Sequence, residues 1–318
     1  MKVPITQYTV ASDSTAPVEL PGYEEKKIYT LEDERHVLKT GPWDLILWEF
    51  NVYSDLQRFV EYPMICERFV DCGSGSATGA LLLHRVTCLS TLFDLQPWRS
   101  EDSKAFFITA FCAQRLIRTM RDMHERGVLH RDIHPGNVVL TRCWTKRELL
   151  SKSSHADDPV AKPVHAAFID FEGSFMNGYH PRLARDSQFA IVNFRYASDR
   201  VVRQQGGHTA ADDFVSLSYV ILALRMMAHP PWCRGIVAPL GWDSWEDYEC
   251  CKSIVATRAR SLAEIRARAM VEPELWEFID YAQNLQPDAK PDYLRWIEFF
   301  SGLSAGMTEV EDYVCRVL

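Results

Sequence analysis

No run of residues is apolar for long enough to cross a bilayer. The longest apolar stretch, around 215–228, is interrupted by Ser216, Ser218 and Arg225, and it falls short of the roughly 18 residues that a spanning helix needs. The first residues, MKVPITQYTVASDSTAPVEL, hold no apolar core of signal-peptide length. The expectation is an intracellular chain, cytoplasmic or nuclear, with no membrane partner. Positive charge is also in short supply. There are 35 Lys and Arg against 43 Asp and Glu, a formal net charge of −8, which argues against a general nucleic-acid or membrane-surface binder. The nine cysteines (Cys66, Cys72, Cys88, Cys112, Cys143, Cys233, Cys250, Cys251 and Cys315) are odd in number. No two have the spacing of paired zinc ligands, and they read as buried or idle thiols in a reducing compartment. What remains is ordinary globular material, 47% hydrophobic and 25% charged over 318 residues, enough for one large two-lobed domain or two ordinary ones.

The chain changes character along its length. Residues 1–86 read mainly as strands, with β-prone runs at 5–10, 27–31, 36–39 and 79–86 between turn-forming clusters. One helix interrupts them over 45–59, where Leu45, Trp48, Val52, Leu56 and Phe59 recur at helical spacing. From about residue 87 helices take over. Residues 105–126 carry Phe107, Phe111, Leu116, Met120 and Met123 on one broad face, and 213–228, 273–285 and 293–300 are further helices. The polar stretch TRCWTKRELLSKSSHADDPVAK, 141–162, reads as a surface insertion, because parts of one site flank it.

Two segments carry chemistry. In VLHRDIHPGNVVL, 128–140, a helix ends at Gly127 and an apolar pair leads into His130-Arg131-Asp132, with Asn137 five residues after Asp132 and a β-branched run behind it. Phosphoryl transfer from ATP needs an acceptor-orienting base and a metal clamp on the phosphates. Asp132 suits the first task and Asn137 the second. In AAFIDFEGS, 166–174, a buried strand ends at Asp170, where a hard oxygen ligand for Mg²⁺ is needed.

These strings resemble the eukaryotic protein kinases, and the C-terminal half is most similar to the casein kinase I group. FRYAS at 194–198 resembles that group's substrate-side loop. DDFVSLSYVILALRMMAHPPW at 212–232 resembles the long central helix, with Asp213 in the place of the aspartate that braces the catalytic loop. YAQNLQPDAKPDYLRWIEFF at 281–300 resembles the terminal helices. The resemblance covers about 105–300. It implies an α+β, bilobal protein kinase-like fold, with a small β-rich lobe over 1–86 and a large α-helical lobe over 87–318. The implied cofactors are ATP and Mg²⁺, and the implied acceptor is a protein serine or threonine.

Asp132 and His134 are then the catalytic candidates. Asn137 and Asp170 are the metal ligands, and His130, Arg131 and Asp213 hold the loop in place. Arg131 is open to a second role, pairing with a phosphate on the activation segment. VLK at 37–39 resembles the strand that presents the nucleotide-positioning lysine, making Glu49 the ion-pair partner of Lys39. Their separation is shorter than usual in the family, and both also read as solvated surface charges. ALLLHRVTCLSTL, 80–92, resembles the strand and hinge that hold adenine, or is an ordinary buried strand.

The departures are specific. A lysine is expected two residues after Asp132, and His134 stands there. A threonine is expected at Asn193, and a glycine at Glu172. Residues 10–26 offer only Gly22 in place of a glycine-rich phosphate loop. Aminoglycoside and choline kinases share similar HPGN and IDFE strings. Three functions follow in order: a divergent Ser/Thr protein kinase, a pseudokinase that uses the fold for binding, and a small-molecule kinase.

Overall fold

The computed structural model describes residues 27–33, 35–58, 62–71, 78–95, 103–143, 145, 164–181, 193–203, 205–233, 245–306, 310–311 and 314. The expected strand at 5–10, the region around Gly22 and nearly all of the expected insertion at 141–162 lie outside them. The chain is mixed α and β, a small antiparallel sheet region followed by helices. It divides into two compact units: one drawn from Met1–Val86, Thr141–His165 and Asp170–Glu172, the other from Thr87–Leu140, Ala166–Ile169 and Gly173–Leu318. Among the described residues no helix is long and apolar enough to cross a membrane.

In the first unit β1 (Lys27–Thr30), β2 (His36–Pro42), α1 (Trp43–Leu56), β3 (Cys66–Asp71) and β4 (Thr78–His84) form a four-stranded sheet in the order β1-β2-β4-β3, with the helix on one face. β2 pairs antiparallel with β4, setting Leu38 opposite Leu82 and Thr40 opposite Ala80. Leu38, Leu82 and Ala80 share a buried face with Leu31 and Val70. Side chains alternate along a strand, so Lys39 and Leu81 point to the opposite face, against which α1 packs. A Cβ added at Gly79 would lie 3.2 Å from Ile46 Cγ2 and 3.2 Å from the Phe69 ring. Glycine therefore lets α1 lie close on the sheet. β3 escapes sequence reading because a register shift between Cys66 and Arg68 breaks its alternation.

The second unit begins with β5 (Thr87–Cys88), α2 (Leu89–Leu95) and α3 (Ser103–Glu125). Short strands follow: β6 (Val128–Leu129), β7 (Val138–Thr141), β8 (His165–Phe168) and β9 (Phe175–Met176). They pair as β5-β7-β8 and β6-β9. The rest is helical: α4 (Asp199–Val202), α5 (Ala210–Met226), α6 (Trp245–Ala267), α7 (Pro273–Gln283) and α8 (Tyr293–Ser304).

α5 is buried from Ala211 through Leu224 on every side, as expected of a helix at the centre of a core. Phe214 on it meets the rings of Phe278, Tyr281 and Tyr293 edge-on at 5.3, 6.0 and 5.7 Å. α3 packs along α8. Among the described residues α6 carries its buried stripe on Ile254, Val255, Arg258, Ser261 and Ile265. That spacing is helical, but its middle is polar, at Arg258 and Ser261, which hides the helix from a periodicity search.

Arg258 explains the polar stripe. Its guanidinium donates to the Ala197 carbonyl at 2.7 Å and the Phe194 carbonyl at 2.8 Å, pairs with Asp199 at 2.7 Å, and lies 4.7 Å over the Tyr219 ring. It ties α6 to the 194–199 segment. Arg258→Ala strands two buried carbonyls at about 1–3 kcal/mol each. The expected cost in chemical denaturation is roughly 3 kcal/mol, and a loss below about 1 kcal/mol would show that the segment is held by other contacts.

Candidate functional site

The sequence-predicted residues fall in both units. Lys39, Glu49 and Asp170 belong to the first; His130, Arg131, Asp132, His134, Asn137 and Asp213 belong to the second.

Lys39 is buried, and its Nζ donates to Glu49 Oε2 at 2.6 Å and to Asp170 Oδ1 at 2.6 Å. The reading of Lys39 and Glu49 as solvated surface charges is therefore replaced, since Glu49 is 0% exposed and Lys39 6%. Their ten-residue separation follows from the chain path. β2 runs into α1 through Pro42 with no loop. Three strand steps from Lys39 to Pro42 cover about 10 Å, and six helical steps from Trp43 to Glu49 cover about 9 Å. A helix doubling back along its own strand thus returns Glu49 to the level of Lys39.

Burial works against the Lys39 charge, but Asp170 and Glu49, with Glu172, outweigh it and hold the lysine above its ordinary range. Burial pushes Glu49 up to about 7 against the pull of Lys39. The lysine rises because carboxylates surround it, whereas Glu49 rises first through burial and then through the nearby Asp170 and Glu172. Asp170 sits at φ 66°, its N–H directed at the Tyr53 hydroxyl at 3.3 Å. The neighbouring Phe171 packs edge-on against the Tyr53 ring at 5.1 Å. Tyr53 thus positions Asp170, and nothing in the sequence singles it out beyond its place on the inner face of α1.

In the second unit the 130–137 segment folds around Asp132. Asn137 Nδ2 donates to the Asp132 carbonyl at 3.0 Å and to Oδ2 at 3.1 Å, while the Asn193 N–H donates to Oδ1 at 3.1 Å. His134 Nε2 stands 3.6 Å from Oδ2. His134 Nδ1 accepts the Gly136 N–H at 3.1 Å, which places the proton of the neutral ring on Nε2, facing the carboxylate. A Cβ at Gly136 would come within 2.8 Å of His134 Cε1, so a side chain there would push the His134 ring out of place. The fully buried β7 follows directly, and the Ile169 N–H donates to the Asn137 carbonyl at 2.9 Å. His134 through its ring and Asn193 through its backbone N–H, two of the positions noted in the sequence, thus meet at Asp132.

Asp213 holds the start of this segment. Its carboxylate accepts the backbone N–H of His130 at 2.8 Å and of Arg131 at 2.9 Å, and it meets His124 Nε2 at 3.0 Å and His208 Nε2 at 2.8 Å. Four donors match the four lone-pair sites of a carboxylate. Burial alone would raise this carboxyl; His208 and His124 outweigh that effect and hold it well below the usual range. The clamp holds Arg131 at φ 73°, a conformation rare for a non-glycine residue. The Arg131 guanidinium lies 4.1 Å over the Phe175 ring, and burial lowers its pKa to about 10, opposed by Asp213. His130 is fully buried, with Nε2 3.0 Å from the Ile169 carbonyl. Sequence reading misses His124 and His208. One ends α3 and the other precedes α5, and neither position follows a periodic signal.

Mg²⁺ takes hard oxygen ligands, and the Asp170 carboxylate in the first unit and the Asn137 amide in the second each carry oxygen donors of that type. The Asp170 side chain is 37% exposed, and the Asn137 amide spends its nitrogen on Asp132.

Asp213→Asn leaves two of the four donors facing an amide nitrogen, so a loss of roughly 3 kcal/mol is expected. The sign with pH follows from the lowered folded value. The stabilisation is fully present above the ordinary carboxyl value of 3.8 and is lost as pH falls through the depressed one. Denaturation curves should therefore show a constant gap between wild type and Asp213→Asn near neutrality, closing below about pH 3.8. A gap independent of pH would contradict the ionised clamp. Neither protein-family models nor curated proteins give a match to this chain.

Proposed function

We propose that this chain is an ATP-dependent phosphotransferase of divergent protein-kinase type, with a bilobal kinase-like fold, acting on a serine or threonine hydroxyl of a protein. The observation that carries the reading is the buried Lys39 shared by Glu49 and Asp170, residues 10 and 131 positions away. A lysine kept charged in a dry setting serves to hold polyphosphate oxygens, and Glu49 fixes its direction. Asp170 and Asn137 would hold Mg²⁺, which when bound with ATP neutralises charge on the phosphate oxygens.

Asp132 orients the acceptor hydroxyl and takes up its proton. Its own carboxylate is aimed by Asn137 and by the Asn193 N–H. The Nε2–H of His134 offers a hydrogen bond beside it in place of a permanent cation. Preorganised donors of this kind act where charge develops.

A second reading, a catalytically weak or inactive pseudokinase that uses the fold for binding, is favoured by the charge around Lys39. Glu49, Asp170 and Glu172 all act on this one cation, and polyphosphate adds further negative charge.

Transfer of the γ-phosphate to a panel of protein acceptors separates the two readings. Asp132→Asn should lower turnover by about a hundredfold or more while leaving the stabilisation by Mg²⁺ and ATP in thermal melts intact. ATP stabilisation with no turnover on any acceptor would favour the second reading. Asp170→Ala should remove the Mg²⁺-dependent part of the ATP-induced rise in melting temperature. An unchanged metal-dependent rise would remove Asp170 from the nucleotide site.

A further inference from the structure

Away from Lys39, three chemistry-bearing side chains from three neighbouring strands converge at one end of the first unit's sheet. His36 on β2 and His84 on β4 are directly opposite in register, and their rings lie 4.9 Å apart. Glu67 comes from β3 on the other side of β4. The Glu67 carboxylate oxygen Oε1 is 2.9 Å from His36 Nε2 and 3.3 Å from His84 Nε2, and the three ligand atoms all lie within 4.8 Å of one another.

Glu67 reaches this position through an irregularity. In an unbroken ladder, Arg68 opposite Leu82 would put Cys66 opposite His84. Instead Cys66 pairs with Leu83, which makes Glu67 the extra residue of a bulge. Bulges re-aim side chains in this way. Gln57 fixes the irregularity, accepting the Cys66 N–H at 2.6 Å and donating to its carbonyl at 2.7 Å.

Asp33 completes the arrangement. Its Oδ2 bonds His36 Nδ1 and its Oδ1 accepts the His36 backbone N–H at 3.1 Å. With the ring proton engaged by Asp33, a neutral His36 turns the lone pair of Nε2 toward the Glu67 oxygen, so two lone pairs oppose each other. Either a second proton or a metal cation between them removes the conflict. Ligand atoms bound at about 2.0–2.1 Å around a tetrahedral zinc lie about 3.3 Å apart, close to the two separations from Glu67 Oε1. A carboxylate on the far nitrogen of a ligating histidine is also the usual outer partner in such sites.

We propose that His36, Glu67 and His84 bind a zinc ion, with Asp33 orienting His36 and water in the fourth position. The side chains of His36, His84 and Glu67 are 19, 33 and 35% exposed, so an ion can enter from solvent and keep a water ligand. No sequence spacing announces the site, because His36 and Glu67 are 31 residues apart and only strand register unites them with His84. A bound ion would clip β2, β3 and β4 together at that end of the sheet.

The test uses the full chain stripped with a chelator and titrated with zinc by calorimetry in the presence of excess Mg²⁺, with cobalt as a spectroscopic probe. Expected are one zinc per chain, a higher melting temperature than the stripped protein, and a tetrahedral cobalt spectrum lacking the strong thiolate charge-transfer band. His36→Ala with His84→Ala should abolish binding, and Asp33→Asn should weaken it by about ten- to a hundredfold. Glu67→Gln, which keeps shape and removes only the anionic donor, should also weaken it if the histidine variant does not fold. Absence of stoichiometric binding, a thiolate band, or affinity undiminished by Glu67→Gln would overturn the assignment.

Discussion

A fully buried carboxylate holds the second unit's candidate site in place. Asp213 sits in a helix buried on every side and accepts four hydrogen bonds, two from backbone and two from imidazoles. Burying an anion is costly unless every acceptor is used, and here every acceptor is used. The backbone at 130–131 is therefore fixed from below, and Arg131 is kept in a conformation it would not choose by itself. The side chains that follow, Asp132, His134 and Asn137, take their directions from that anchor. Two histidines from opposite ends of the sequence pattern, one closing α3 and one preceding α5, complete it.

Much of this was legible beforehand, and the reasons differ by element. The helices 105–126 and 293–300 were readable because their apolar residues repeat at helical spacing; they occur as α3 and α8 with shifts of a few residues at the ends. Strands 27–31, 36–39 and 79–86 were readable from β-branched and alternating residues. α6 was not, because Arg258 and Ser261 stand on its buried face. β3 was not, because a bulge spoils its period. At the candidate site, residue types and short spacings marked Asp132, Asn137 and Asp170, and the resemblance to the kinases marked His134. Contacts set by packing, such as Tyr53 with Asp170 or His208 with Asp213, leave no periodic trace.

Strand register creates neighbours that a linear reading cannot anticipate. Lys39 meets Glu49 because the helix doubles back along the strand that feeds it. His36 meets His84 because β2 and β4 are in register, and Glu67 joins them through a single inserted residue. The same sheet thus carries the buried Lys39–Glu49 pair on the face that packs α1 and a partly exposed imidazole–carboxylate cluster at one end of the other face. Alternation separates the two by polarity as well as by position.

The junction at Pro42 has a mechanical consequence. A helix joined to a strand by a flexible loop can rotate or translate while the strand stays in its ladder. Here the strand ends at Pro42 and the helix begins at Trp43, so there is no slack to absorb such a movement. Pro42 itself is limited to one narrow range of φ. Swinging α1 outward would peel Gly41 and Pro42 from Gly79 and Thr78, their partners in β4. The strand and helix therefore move as one lever arm, and the distance from Lys39 to Glu49 is an internal dimension of that arm, not a variable of its motion.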